Sequence, residues 1–357
     1  MPTSNNIADE LYAWCCQQSP LLDRAAHLSA ASNSFVMQAL RVEASHRQFY
    51  RLSEPTSARS WVAMWSPPEL ENNEQFVALA ETFAGMGTPA LLAANLSRGF
   101  FLMEDLGTAH LADVYLAATT SAQMQHIVDT ALAALFVLQE VSAATVPDYS
   151  AERLMMEFDL CTQWFTQQLM QLRLSEDAQD TLSSARQTLV EAMLEQPQVC
   201  VHRDYHCRNL LWSEAPHSDP KIGMVDFQDA LMGPALYDPA SLLQDCYYRH
   251  DDALITRALR TFASRHSTLA AYPDAKIRWW HDACAIQRQI KAVGIFARLH
   301  LRDSKSSHLH YIPTVLHRAA VLAASYPDLS SLSLHLANWA DEAKNHPLLA
   351  SHSEHAQ

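Results

Sequence analysis

The sequence predicts an α+β chain of two lobes, a small strand-rich N-lobe at residues 1 to 107 and a large, mainly helical C-lobe at 108 to 357. Three observations carry this reading. Short β-branched and aromatic runs bounded by polar turns fill the N-terminal third. Helical periodicity fills most of the remaining chain. One compact segment, 200 to 238, interrupts the helices and gathers the most reactive side chains of the chain.

The elements follow in order. Residues 6 to 18 read as a short opening helix. "NSFVMQALRVEASHRQFYRLSE" (33 to 54) and "SWVAMWS" (60 to 66) have strand composition, and "ENNEQFVALAETFAGMG" (71 to 87) spaces Phe76, Leu79 and Phe83 as a helix does before a closing glycine. "TPALLAA" and "GFFLMEDLG" are two further short apolar runs that bring the N-lobe to Gly107. Helical periodicity then occupies 108 to 147, 151 to 174, 177 to 195, 239 to 266, 275 to 300 and 311 to 342, and the tail "SHSEHAQ" reads as disordered. Within 200 to 238, "LLW" and "KIGMVDF" flank "SEAPHSDP" like the arms of a hairpin.

Composition narrows the partners. The chain has 357 residues, 49% of them apolar, enough for a real core without covalent staples. Seven cysteines, an odd number with no C-x-x-C spacing, read as reduced thiols of a cytoplasmic protein. The N-terminus is polar where a secretory signal is basic and then apolar, and no apolar run approaches the roughly 18 residues that span a bilayer. A formal charge of −14 opposes general affinity for nucleic acid or anionic lipid. The expected partner is small or brings its own cations.

"CVHRDYHCRNLLW" (200 to 212) offers two chemistries. Cys200, His202, His206 and Cys207 are potential zinc ligands, but the four-residue histidine spacing suits a helix, and this stretch opens after a β-like "QVCV" with no H-E-x-x-H glutamate. The second chemistry fits more positions. His202-Arg203-Asp204, four residues and Asn209 reproduce the H-R-D-x-x-x-x-N order of a kinase catalytic loop, and Asp226-Phe227 follows a strand-like "KIGMV" where a metal-binding Asp-Phe-Gly stands. Phosphoryl transfer needs one carboxylate to accept the hydroxyl proton and separate oxygen ligands to hold Mg2+ against the phosphates. Asp204 is the candidate for the first role, Asn209 and Asp226 for the second.

"VHRDYHCRNLLW" together with "GMVDFQDALMGPALYDPASLLQDCY" resembles the aminoglycoside phosphotransferase-like kinases. "ASHRQFYR" (44 to 51), "MWSPPE" (64 to 69), "FFLMEDLG" (100 to 107) and "IKAVGIFARL" (290 to 299) make the chain most similar to the subgroup of N-acetylmuramate/N-acetylglucosamine anomeric kinases. The resemblance implies a two-lobed protein-kinase-like fold, ATP with Mg2+ as cofactors, an adenine edge bonded to backbone around Met103, Glu104 and Leu106, and a sugar 1-phosphate as product.

The departures from a protein kinase are as informative. The first lysine is Lys221, so the N-lobe has no lysine to grip phosphates. Arg47 and Arg51 are the replacements, sharing with Ser45 and Phe49 one face of a strand, and arginine donates two parallel hydrogen bonds to phosphate. No G-x-G-x-x-G occurs, which leaves Ser45 and backbone amides to cover the phosphates. Glu74 could orient an arginine as a kinase glutamate orients its lysine, but it reads first as an ordinary exposed helix charge. "DFQD" carries Gln228 in place of the glycine, and "GPALYDP" arrives seven residues after Asp226, leaving no length for a peptide-docking activation segment. The acceptor is therefore expected to be small. Its candidate contacts are His206, Gln228, Asp229 and Arg298, with Tyr205, Tyr247, Arg288 and Lys291 in the same neighbourhood. Arg203 is expected to brace the catalytic loop, and Asp238 to be structural, capping the helix that begins at "PASLLQDCYY" or holding the loop's amides. Another small alcohol, such as an aminoglycoside or choline, and a catalytically silent nucleotide-binding protein remain as alternatives.

Overall fold

The computed structural model describes residues 4–18, 35–40, 46–55, 57–214 and 218–353. The chain divides into two compact units, the first comprising Met1–Thr108 with Ser213–Gln228, the second Ala109–Trp212 with Asp229–Gln357. The first unit is thus discontinuous: 213 to 228, grouped with the C-lobe by sequence, clusters with the N-terminal residues.

In the first unit, helix α1 (Ser4–Gln17) precedes a five-stranded antiparallel sheet of strands β1 (Val36–Ala39), β2 (Gln48–Ser53), β3 (Ser60–Trp65), β4 (Leu91–Asn95) and β5 (Phe100–Glu104), in the order β1-β2-β3-β5-β4. Period-2 alternation sends Trp61 and Ala63 of β3 into one core with Leu11, Trp14, Leu52, Phe100 and Leu102. Helix α2 (Asn73–Thr82) starts where Asn72 caps the Gln75 amide at 3.0 Å. It packs Phe76 edge-on against Phe101, with ring centroids 5.2 Å apart. Gly99, at φ +66°, lets its carbonyl meet the Ser66 amide at 2.8 Å; a Cβ there would lie 1.9 Å from the Ser66 carbonyl oxygen. Strand β8 (Lys221–Met224) of the returning segment bonds through the Met224 amide to the Gly87 carbonyl at 2.8 Å.

The second unit is mostly helical: α3 (Leu111–Ala117), α4 (Ser121–Gln139), α5 (Ala151–Leu160), α6 (Glu176–Leu194), α7 (Tyr237–Leu243), α8 (Asp252–Arg265), α9 (Asp274–Asp303), α10 (Ile312–Ala323), α11 (Ser330–Asn345) and α12 (Pro347–Ser353). Strand β6 (Gln198–Val201) pairs antiparallel with β9 (Leu231–Pro234), and β7 (Leu210–Ser213) follows the catalytic-loop motif. Three helical stretches read as single elements are each two helices. The break after Leu243 matters most, because the irregular 244 to 251 that replaces a continuous helix carries Asp245 and Tyr247.

The 30-residue α9 is the spine of this unit, packed on α5, α6, α7 and α10. At Cys161 α5 changes to a π-helix, Cys161–Leu169, and the change sits against Gly294 of α9. A Cβ on Gly294 would lie 2.4 Å from the Leu160 carbonyl carbon and 2.5 Å from the Cys161 amide nitrogen. The glycine within "IKAVGIFARL" is therefore a backbone-to-backbone contact, and it sets which face α9 turns to its other neighbours. No described helix is long and apolar enough to cross a membrane.

Candidate active site

In the second unit β6 delivers the chain into 202 to 209, and carboxylates from outside the loop take up its amides. Asp238, fully buried at the start of α7, accepts from the amides of His202 at 2.6 Å and Arg203 at 3.0 Å. Burial pushes this carboxyl up to about 7, while the two amides and Arg288 pull it down. Asp245, also buried, accepts from the Cys207 amide at 2.9 Å and the Tyr247 amide at 2.8 Å.

Arg203 has φ +75°, an uncommon backbone for a residue with a Cβ. Its surroundings over-determine that conformation. Its guanidinium pairs with Glu157 of α5, donates to the Asp229 carbonyl at 3.1 Å and lies 5.1 Å from the Tyr149 ring centroid, while its own carbonyl accepts from Arg288 of α9. Glu157 is 4% exposed and also holds Lys291 at 2.9 Å and the Tyr149 hydroxyl. Sequence reasoning missed Glu157 and Asp245. Glu157 leaves a signal, a charge beside Leu154 and Phe158 on the buried face of its helix.

Asp204 is half-buried and opens onto a cavity of about 90 Å³ lined by His206, Tyr247, Arg288, Lys291, Ile295 and Phe296 among others. Burial would raise its pKa, but the charges of Lys291, Arg288 and Arg203 outweigh burial and hold the carboxyl well below the usual carboxylate range. The ionised form of Asp204 is thus favoured. His206 lines the same cavity, edge-on to Tyr247 at 5.0 Å. The Asn209 side-chain amide donates to the Asp204 carbonyl at 3.1 Å, which fixes the orientation of the carboxamide. Asp229 points elsewhere, with its side chain 56% exposed, 3.9 Å from Arg203. Arg298 lies further along α9, half-buried. Among the described residues no three His, Cys, Asp or Glu side chains gather as a metal cluster, so Cys200, His202, His206 and Cys207 do not form the zinc site their order allows.

In the first unit Asp226 is exposed, at φ +66°, with its carboxylate accepting from the Gln228 amide at 2.6 Å. Phe227 anchors it, stacked on Phe76 at 5.5 Å and edge-on to Phe83 at 5.9 Å. Gln228, a candidate acceptor contact, is the donor of the bond to Asp226. Arg47 is 6% exposed, bonded to the Ser66 hydroxyl at 3.3 Å, ion-paired with Glu71 at 3.1 Å and 5.2 Å from the Phe76 ring centroid. The acid beside that cation is Glu71, just ahead of α2, and Glu74 is exposed. Arg51 is bound by Asp105 through two bonds of 2.6 and 3.0 Å and by the Gly107 carbonyl at 2.9 Å. Arg51 therefore braces the segment after β5, where Leu106 is half-buried; at the end of β5 itself Met103 is buried and Glu104 exposed. Ser45 lies outside the described residues.

Known proteins resemble the chain in sequence and in fold. The chain is 33% identical over 304 residues to the N-acetylmuramate/N-acetylglucosamine kinase of Pseudomonas aeruginosa, covering 83% of this chain and 86% of that one. It is 30% identical to the enzyme of the same name from Pseudomonas putida, covering 93% and 96%. Among solved structures, Plasmodium vivax ethanolamine kinase matches with a TM-score of 0.62 over 90% of each chain at 11% identity, a likeness of fold. The fold is accordingly that of the protein-kinase-like small-molecule kinases. A phosphotransferase enzyme family model matches residues 36–276, and the chain belongs to that family.

Proposed function

We propose that this chain transfers the γ-phosphoryl group of ATP to the anomeric hydroxyl of an amino sugar, N-acetylmuramate or N-acetylglucosamine, in the cytoplasmic recycling of cell-wall sugars. The observation that carries this reading is the company Asp204 keeps: an ionised carboxylate in a small cavity with Arg288, Lys291 and the rings of Tyr247 and Phe296. Polar groups reach hydroxyls and the rings offer an apolar face, as a hexose requires. Asp204 and Asp245 line the same cavity as Arg288 and Lys291, so charge alone does not choose between an amino sugar and a cationic aminoglycoside or choline, and the substrate panel decides.

Asp204 accepts a hydrogen bond from the sugar hydroxyl and aims its lone pair. The hydroxyl oxygen then bonds to the γ-phosphorus, the bond to the β,γ-bridging oxygen breaks, ADP leaves with that electron pair, and the proton passes to the Asp204 carboxylate. A carboxyl held so acidic takes the proton late, which suits a loose transition state that needs positioning more than early deprotonation. Asn209 and Asp226 would each offer an oxygen ligand of the kind magnesium, a hard ion, prefers. Magnesium, when bound, offsets charge on the phosphates. Arg47, oriented by Glu71, and Arg51 stand in for the missing lysine, Ser45 and backbone amides cover the phosphates, and the adenine edge bonds to backbone at Met103, Glu104 and Leu106. His206 and Arg298 contact the acceptor, and Asp229 and Gln228 hold their neighbours in place. The first unit binds nucleotide and the second supplies catalysis and the acceptor site.

The test is ATP consumption against N-acetylmuramate, N-acetylglucosamine, kanamycin and choline, with phosphorus NMR to locate the new phosphate. The Asp204→Asn variant is expected to keep nucleotide affinity and lose about 10²- to 10⁴-fold in kcat. Turnover of kanamycin or choline alone, or an Asn variant near the wild-type rate, would overturn the reading.

A further inference from the structure

We propose that Arg298 reads an anionic substituent on the acceptor, receiving the carboxylate of an acidic amino sugar, and is thereby the residue that separates acidic from neutral acceptors. This rests on the sugar-kinase reading above and adds to it the group that discriminates.

The cations of α9 nearest the catalytic loop are already committed. Arg288 donates to the Arg203 carbonyl and lies over the Tyr237 ring, and Lys291 is ion-paired with Glu157. Arg298 differs. Its Nε is buried with no hydrogen-bond partner among the described residues. The nearby Asp303 is taken by Arg302 through bonds of 2.8 and 2.9 Å. A buried donor left unpaired on a charged group is uncommon and costly, and an incoming carboxylate would satisfy it.

Arg298 is not among the residues that line the acceptor cavity, but helix geometry places it just beyond the end of that lining on α9. Seven residues after Lys291, Arg298 is rotated by only about 20° from it and lies roughly 10 Å further along the axis. The cavity already extends to Ile295 and Phe296, within one turn of Arg298. Side chains of a helix lean toward its N-terminus, which from position 298 is the direction of Ile295 and Lys291. The charge of Glu157, which pairs with Lys291, is also felt at Arg298, and burial lowers the pKa of the guanidinium. An acceptor whose hydroxyl meets Asp204 therefore extends along α9 toward an unpaired cation.

The experiment compares wild type, Arg298→Gln and Arg298→Lys in steady-state kinetics with N-acetylmuramate, with its carboxamide, in which the charge is removed, and with N-acetylglucosamine. In Arg298→Gln the KM for N-acetylmuramate is expected to rise about ten- to a hundredfold relative to the KM for N-acetylglucosamine. The carboxamide should follow the neutral sugar, and Arg298→Lys should recover part of the loss. An equal loss on all three acceptors, or no change on any, would overturn the inference while leaving the function intact. A wild-type chain that binds ATP and turns over none of the three would overturn the function, and the inference with it.

Discussion

Glu157→Gln tests how far the catalytic loop depends on charge buried beneath it. Glu157 is 4% exposed and is shared by Arg203, Lys291 and the Tyr149 hydroxyl. The substitution conserves shape but leaves two buried cations without their anion. Breaking a buried ion pair from one side costs about 3 to 5 kcal/mol, because the remaining charge is stranded in a medium that solvates it poorly. Against a total stability of about 5 to 15 kcal/mol that is a large fraction, and at 2 to 4 °C per kcal/mol for a unit of this size the melting temperature falls by about 6 to 20 °C. Lys291→Met should restore part of the loss when combined with Glu157→Gln, since it removes one stranded charge, and the double-variant cycle should show a coupling of about 1 to 3 kcal/mol. The pH dependence has a definite sign. Burial raises the Glu157 pKa, but Lys291 and Arg203 pull it below its ordinary value, so its stabilisation is present above the unfolded pKa and is lost as pH falls through the folded one. Acid denaturation followed by circular dichroism should therefore be shallower below pH about 4.3 in the Gln variant. A Gln variant within 1 kcal/mol of wild type, or strictly additive single losses, would refute the account.

Two further predictions bear on packing. Gly294→Ala places a methyl group 2.4 Å from backbone of α5, which cannot yield as a side chain can, and should cost about 1 to 3 kcal/mol in denaturant titrations, with a matching fall in acceptor affinity as α9 shifts. A native-state thiol titration should find at most two reactive cysteines, Cys16 and the cavity-lining Cys246, with all seven reacting once the chain is unfolded. More than two fast thiols in the native chain would contradict the burial of Cys15, Cys161, Cys200, Cys207 and Cys284.

The two-lobed α+β architecture is legible because its signals are local. Strand composition, helical periodicity and the H-R-D-x-x-x-x-N order all sit within short windows, and Asp204, Asn209 and Asp226 can be singled out from spacing alone. What spacing does not contain is which partners a side chain finds across the fold. Arg51 reads as a phosphate clamp because nothing near it in sequence announces Asp105, 54 residues away. Glu74 draws the eye because it stands on the helix proper, whereas the pair with Arg47 forms at Glu71, just before the Asn72 cap. The break between α7 and α8 is unreadable for a related reason. The residues of "QDCYYRH" have no strong helix-breaking chemistry, and the chain leaves the helix there because Asp245 turns to meet the amides of Cys207 and Tyr247. Tertiary demand overrides propensity at that point.

The same demand explains why the catalytic loop can do without regular secondary structure. Its amides at His202, Arg203 and Cys207 are claimed by two buried carboxylates, Asp238 and Asp245, the first within α7 and the second just beyond its C-terminal end. Its backbone strain at Arg203 is held by Glu157 from α5 and Arg288 from α9. Four separate positions outside the loop thus converge on eight residues, and each contributes a charge. Removing any one strands its partner in a poorly solvating interior, so the loop has no low-energy alternative to adopt. Rigidity of this kind is what a low-pKa Asp204 requires. In the role proposed for Asp204, a carboxylate that aims a hydroxyl loses its effect with small displacements, and it keeps that aim only while the buried charges around it remain paired.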